Sequence, residues 1–574
     1  MVGKRLAQLS VFDVGNVFDL KLSSKSFHFQ LAKAAPTLFK DENFAAFYKE
    51  KLGRPSVPPS LLALLTLLQH EAGISDDAAI QSTTYDLRWA AVLRKEAGLP
   101  LCAKSTLQLF RAHLTLHPEV AVIFLASINE AKRTGLLKGK ALQIALDTKP
   151  IRGRGAVQDT FNLLGVGIRQ LARALARQAE KKLDDFLVEN GLQSYTHSSI
   201  KGSADIDWSD EEAKNALLTK IAEDAQRLFS LATSANPAVR KAASLLEQLL
   251  LQDVEITKTE DGENQASIKN ETVKGRHPSA TDPDIRHGRK SASKRFNGHK
   301  ADVAVDQDSQ IIVAFDVLSG DAGDASGALA LVEQAEKNTG LAVQDTTGDC
   351  AYGGSPTRQA FADADRELLA KVPQEYSRNG MFAKSAFKID LENDSVTCPA
   401  GQIVTRFHLT PAGEKRYSFG SLCAGCPLRS QCTTSNSGRH ISVHPQEARM
   451  QAARAYQKTP EGKARLRNRV VVEHRLARLG QLGIGQARYI GRTKTRFQLM
   501  IASSLANFRR VWNQEAAQTA NMGSISPGIL GNTNLSACIK LLQSILRLFI
   551  IFILVQCPRD RHLHRFQPKY VLVA

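Results

Sequence analysis

The chain has 574 residues, more than one compact core organises, so two to four domains are expected. Hydrophobic residues make up 43% and charged residues 23%, a globular balance that excludes a disordered polyelectrolyte. Lys and Arg outnumber Asp and Glu by 75 to 57, a formal charge of +18. That surplus favours a polyanionic partner, because neutralising phosphates releases condensed counterions. Charge alone does not separate a nucleic-acid protein from a merely basic one.

The chain opens Met1-Val-Gly-Lys-Arg5, without the long apolar run of a secretory signal, so a reducing compartment is expected. Residues 1–135 read as an all-helical domain. Pro58-Pro59 starts an apolar helix over Ser60–Gln69, Ser75 caps the next, and Ser105–Leu114 carries apolar positions at helical spacing. At Ala141–Asp147 a short apolar run ends in an acid, the pattern of a buried strand with a carboxylate at its tip. Residues 157–275 form a helical insertion: Phe161–Leu251 returns to amphipathic helices, and Gln252–Asp284 reads as polar and irregular.

Strand signals resume at His299–Asp306 and Ile311–Leu318, a hairpin turning at Gln307-Asp308-Ser309. Ser326–Lys337 predicts a helix, Leu341–Asp349 a strand, Ala351–Gly354 a turn and Lys371–Pro373 a further short strand. Residues 374–445 are a small Cys-rich insertion, and Pro460 opens a long basic helix carrying Glu473. Residues 514–574 read as a poorly organised tail. Its apolar run Leu548–Val555 falls short of the roughly 20 residues of a membrane span.

Basic residues cluster twice, over Arg286–Lys300 and from Lys463 through Arg496, as a nucleic-acid track would. Two strand-end acids joined by a helix-borne Glu suit two-metal phosphoryl transfer, which needs several hard carboxylate oxygens on neighbouring ions. With 57 acids to choose from, position alone does not select three.

The local wording does select them. Leu146-Asp147-Thr148 followed by Ile151-Arg-Gly-Arg-Gly-Ala156 resembles the first-Asp block of DDE transposases. Gly348-Asp349-Cys-Ala351-Tyr352 resembles the second, and Arg469-Val-Val-Val-Glu473 the third. Asp86-Leu-Arg-Trp89 with Ser105-Thr-Leu and Phe110-Arg111 resembles the helical domain ahead of that core. Asp282-Pro-Asp284 with Gly298-His-Lys300 resembles the block opening its second strand. Gln486–Lys494 and Gln498–Asn507 resemble the closing helices of insertion-sequence transposases. These blocks run in the family's order over most of residues 25–510, and they most resemble the insertion-sequence eleven-eighty-two group.

The resemblance implies an RNase H-like mixed sheet flanked by helices over residues 140–513. It implies Mg2+ or Mn2+ held by Asp147, Asp349 and Glu473, and an enzyme that binds terminal inverted repeats, then cleaves and transfers strands. Double-stranded DNA is the implied partner, as element ends and as target, with a homo-oligomer on DNA in the bacterial cytoplasm at the nucleoid. DNA contacts are expected from Arg469, Arg467, Lys463, Arg475, Arg478, Lys300, Arg488 and Lys494. Arg469 lies four residues before Glu473, so it either holds a phosphate or makes a helix-surface ion pair with that acid. Related groups carry a Tyr three residues before this Arg and a Lys seven after the Glu, where this chain has Leu466 and Gly480. A nuclease that cuts without joining and a catalytically dead DNA-binding protein remain the alternative readings.

Cys398, Cys423, Cys426 and Cys432 include a Cys-x-x-Cys knuckle, so they are expected either to enclose a structural Zn2+ or to be buried thiols. Cys350 reads as a packed small residue, and His299 and His474 as packing or DNA contacts rather than metal ligands.

Overall fold

The computed structural model describes residues 1–5, 22–49, 53–117, 121–233, 236–259, 262–271, 273–291, 293–372 and 380–523. The helical head runs α1 (Phe27–Leu38), α2 (Pro59–Ala72), α3 (Asp76–Tyr85), α4 (Leu87–Leu93), α5 (Lys104–Leu116) and α6 (Val122–Arg133). Local chemistry sets its boundaries. Pro59 opens α2 and Gly73 closes it in the left-handed region, while the Ser75 hydroxyl accepts from the Ala78 N–H to start α3. The Asp76 carboxylate ties three helices together, accepting from Arg111, Gln69 and Gln108.

A six-stranded mixed sheet follows, with order β4-β5-β1-β7-β8 and β6 paired to β5. Its strands are β1 (Ala141–Arg152), β4 (Arg286–Arg289), β5 (Arg295–Asp306), β6 (Ile312–Ser319), β7 (Ala342–Gly348) and β8 (Leu368–Ala370). β1 runs antiparallel to β5, with Asp147 opposite Val303, and parallel to β7. At Gly298 the chains press close: a Cβ there would lie 2.0 Å from the Ile151 carbonyl oxygen, so only glycine lets β5 pass β1. Helix α12 (Ala328–Thr339) packs on the sheet, as do α16 (Val470–Gln481) and α17 (Arg492–Gly523), and the head shares one continuous core with these elements. Phe124 of α6 meets Phe315 of β6 edge-on at 4.8 Å between ring centroids, and Phe27 of α1 meets Trp512 of α17 at 5.9 Å. A mixed sheet flanked by helices, with a helical N-terminal region, is the arrangement of an RNase H-like core.

Two insertions have cores of their own. Between β1 and β4 stand α7 (Thr160–Gln178), α8 (Leu183–Glu189), α9 (Ile200–Ser203), α10 (Glu211–Leu231) and α11 (Pro237–Asp253). Residues 252–284, expected to be irregular, contain a hairpin of β2 (Val254–Lys258) and β3 (Asn264–Ile268). Only Val254 and Ala266 of it are buried, too few to print an alternating pattern, and the Thr219 hydroxyl of α10 pins it by accepting from the Ala266 N–H at 2.8 Å. After β8 and α13 (Ser355–Asp363 in the preceding loop), the Cys-rich insertion folds into two three-stranded sheets. These are β9 (Lys388–Asp390), β10 (Ser395–Thr397) and β11 (Ile403–Val404), then β12 (Phe407–Leu409), β13 (Lys415–Ser418) and β14 (His440–Val443).

The basic helix expected from Pro460 is broken. After α14 (Glu447–Tyr456), α15 (Pro460–Asn468) stops at Arg469, where a tight Val472 N–H to Arg469 carbonyl bond of 3.1 Å begins α16. Residues Met1–Ala516 form one compact unit and Ala517–Ala574 a second, of which helix to Gly523 is described. No helix among the described residues is long and apolar enough to cross a membrane, and the run Leu548–Val555 lies outside them.

Candidate active site

β1 buries Ile144, Ala145 and Leu146 and then presents Asp147, 13% exposed, within the strand rather than at the tip expected from the sequence, since β1 continues to Arg152. The Asp147 carboxylate accepts the Thr148 N–H at 2.7 Å. Burial pushes its pKa up and the nearby Asp349 adds to the shift, while the Thr148 N–H, Arg469 and Lys290 oppose it. β7, the parallel neighbour, ends at Gly348, and Asp349 follows at the tip. Its carboxylate accepts the Ala351 N–H at 2.8 Å and caps a tight turn over Cys350–Tyr352. A Cβ at Gly348 would stand 2.7 Å from Tyr352, so glycine lets that ring fold back into the core beneath the acid.

Glu473 projects from the first turn of α16 with its side chain 51% exposed. Arg469, at the break before that helix, reaches both outer acids: Nη1 donates to Asp147 Oδ2 at 3.2 Å and Nη2 to Glu473 Oε1 at 2.5 Å. Of the two roles left open for Arg469, the ion pair with Glu473 is present, and it extends across to the strand acid Asp147. Beside this bridge lies a cleft of about 410 Å³ lined by Asp349, Cys350, Lys371, Arg467, Arg469 and Glu473. Cys350 is exposed on its wall rather than packed. Carboxylates from a strand tip and a helix thus line one opening together with Lys371, Arg467 and Arg469, and Arg469 ties the strand acid Asp147 to it. Hard oxygen donors suit a divalent ion. Among the described residues no three His, Cys, Asp or Glu side chains stand at the spacing of a closed metal cage, and the Arg469 guanidinium occupies two of the acids.

The expected DNA-contact cations divide into two sets. Lys463, Arg467 and Lys494 are exposed. Lys300 is buried and donates to Asp324 at 2.7 Å and to the Ala322 carbonyl at 2.6 Å, so its ammonium is used inside the fold. Arg488 donates to the Ile74 carbonyl and Arg478 to Gln481, and burial beside Arg510 and Arg478 pushes the Arg475 pKa down. His299 is fully buried, as a packing residue would be, and His474 is exposed.

Two cations near the site were not singled out in the sequence, and a third, Lys290, was read only as part of the basic cluster Arg286–Lys300. Lys371 lines the cleft. Lys149 follows Asp147 by two residues, the strand period that returns a side chain to the same face, and its Nζ lies 3.2 Å from where a Gly480 Cβ would stand. The side chain absent from α16 at Gly480 is thus replaced in space by an ammonium from β1. Lys290, at the exposed tip of the β4–β5 hairpin, lowers the pKa of Asp147 through its charge.

Residues 397–512 match the family described as a transposase DDE domain, and residues 17–113 match the one described as a transposase domain (DUF772). The first match takes in Arg469, Glu473 and the four clustered cysteines, whereas Asp147 and Asp349 lie outside both. No curated protein and no solved structure matches the chain. A transposase domain at the N-terminus and a transposase DDE domain near the C-terminus, around a mixed sheet with flanking helices, indicate that the chain is an insertion-sequence transposase of the DDE kind.

Proposed function

We propose that this transposase binds the terminal inverted repeats of its element and cuts and joins DNA strands at Asp147, Asp349 and Glu473. The observation that carries the reading is the Arg469 bridge from Asp147 to Glu473, beside the cleft that Asp349 lines. Mg2+ (or Mn2+) bound by the three carboxylates would activate the attacking hydroxyl and stabilise the leaving oxygen. The burial of Asp147 supports this role, since it makes the ionised carboxylate costly unless a cation faces it. Arg469 presents a two-pronged donor fitted to a phosphate, and Lys371, Arg467 and Lys149 would fix the DNA backbone around it.

The exposed Lys463, Arg467 and Lys494 extend that track, and the helical head would supply further DNA contacts. Joining two element ends requires two active sites, hence a homo-oligomer on DNA at the bacterial nucleoid. Membership of the eleven-eighty-two group rests on the sequence blocks around the three acids.

The test is cleavage of DNA carrying the element's own ends, with Mg2+, by the wild type and by Asp349→Ala. Metal-dependent nicking at the repeat tips and joined products are expected from the wild type. The variant should bind DNA and cut none. Cutting without joined products would favour a nuclease on the same fold, and binding without cutting would leave a dead DNA-binding protein.

A further inference from the structure

The Cys-rich insertion folds on very little apolar surface. Its buried core is Phe387, Tyr417, Phe419 and a few aliphatic side chains, with Cys432 itself among them, and its strands are two to four residues long. A core of this size does not stabilise some 70 residues by burial alone, and small modules of this kind need a staple.

Three tight turns point their thiols at one place. At the first, Cys398 donates its N–H to Gln402 and accepts from Gly401, which takes a left-handed φ of 83°. At the second, Cys423 and Cys426 are joined by a Cys426 N–H to Cys423 carbonyl bond of 3.4 Å. The third closes Cys432 onto Arg429 at 3.0 Å. All four cysteines line a single void of about 20 Å³, room for one ion and little else.

The surroundings suit thiolates. The Arg439 N–H points at Cys423 Sγ at 3.5 Å. Its guanidinium donates to the Cys432 and Phe382 carbonyls at 3.2 and 3.0 Å while lying over the Phe387 ring. Four thiolates this close repel one another unless a divalent cation joins them.

We propose that Cys398, Cys423, Cys426 and Cys432 bind one structural Zn2+, with Arg439 balancing part of the negative charge of the tetrathiolate. Binding releases the four thiol protons and forms four Zn–S bonds. The thiols are not yet at ligand spacing, so bonds of about 2.3 Å would draw the three turns inward and fill the void. With four protein ligands the ion has no open position, so its role is to fix the insertion ahead of α14, α15 and the helix bearing Glu473.

The full chain, purified without chelator, should contain one zinc per polypeptide by elemental analysis. Exchange into Co2+ should give thiolate-to-cobalt charge transfer and the intense visible bands of a tetrahedral site. Cys426→Ser should lose the metal, whereas Asp349→Ala should keep it, which separates this site from the catalytic acids. Should the Cys variant fail to fold, the wild-type metal content and cobalt spectrum decide. A wild-type chain without zinc whose four thiols react freely with a disulfide reagent, or zinc that persists in Cys426→Ser at full stoichiometry, would overturn the proposal.

Discussion

Arg469 concentrates the electrostatics of the site in one side chain. Asp147 is largely buried and carries a carboxyl whose ionisation burial disfavours, and the Arg469 guanidinium is its only ion-pair partner among the described residues. The same group spans to Glu473, so it sets the separation of the two acids. Arg469→Ala should reduce strand cleavage by about a hundredfold, the scale of removing one preorganised donor from a phosphoryl-transfer site. Arg469→Lys keeps the charge but not the two-pronged reach, and should recover only part of the loss. Single-turnover cleavage alongside end-DNA affinity measures both, and equal cleavage by Lys and Arg would remove the bridging role.

A second residue links the head to the core. His70 is fully enclosed on α2, with Nδ1 against the Thr66 carbonyl at 3.0 Å and its ring edge-on to Phe497 of α17. Burial first, then Arg488, lowers its pKa from 6.5 to about 3, so the folded protein keeps it neutral. The unfolded chain takes up that proton below pH 6.5 and the folded chain does not. Stability from this group is therefore present above pH 6.5 and lost as pH falls towards 3, at about 1.4 kcal/mol per pH unit. His70→Phe should flatten the fall in unfolding temperature between pH 6.5 and 5, and an unchanged slope would place the acid sensitivity elsewhere.

At the scale of elements, the sheet's edge shows what the closing helices do. Among the described residues β6 pairs only with β5, leaving backbone groups that an edge strand must satisfy. Asn507 of α17 supplies the missing strand: it accepts the Ile312 N–H and donates to the Ile312 carbonyl, both at 2.9 Å, and donates to Ser127 at 3.1 Å. Gln334 and Asn338 of α12 do the same for Phe315 and Val313. Asn507→Leu strands two buried backbone groups and should destabilise the chain by about 2–4 kcal/mol. Chemical denaturation measures it, with Ser127→Ala as a milder control.

The sequence block containing Asn507 was legible as part of a transposase, but not as an edge clamp, because one amide pairing with a distant strand leaves no periodic trace. β1 was legible from the apolar run before Asp147, but the strand continues past that acid to Arg152, so Asp147 stands within the strand and not at the expected tip. β7 (Ala342–Gly348) was expected over Leu341–Asp349 and ends one residue before its acid, although it prints no continuous apolar run. The β2–β3 hairpin was not, having two buried side chains, and neither was the break at Arg469, which depends on where β1 lies. Lys149 could have been found from its two-residue spacing to Asp147, whereas Lys290 and Lys371 reach the site only through the fold.

Across the whole molecule the positive charge is not evenly spread. Acidic side chains outnumber basic ones over residues 157–275, so the surplus of +18 is carried by the rest of the chain. Much of it borders the acid site: Arg289, Lys290, Lys294 and Arg295 stand exposed at the tip of the β4–β5 hairpin, and Lys463 and Arg467 on α15. A cationic rim around a cluster of carboxylates both steers a polyanion inward and offsets the repulsion between its phosphates and those acids. These four side chains of the hairpin are exposed, so replacing them with Gln should leave the unfolding temperature unchanged. Affinity for double-stranded DNA should fall to a similar degree for end and unrelated sequences, since phosphate contacts carry no base information. Each lost phosphate contact should lower the slope of log affinity against log salt by about 0.9, up to about 3.6 for all four. A salt titration of the variant against the wild type decides: an unchanged slope would mean that DNA passes the acids along another face, whereas a loss confined to end sequences would make the hairpin a reader of the repeats.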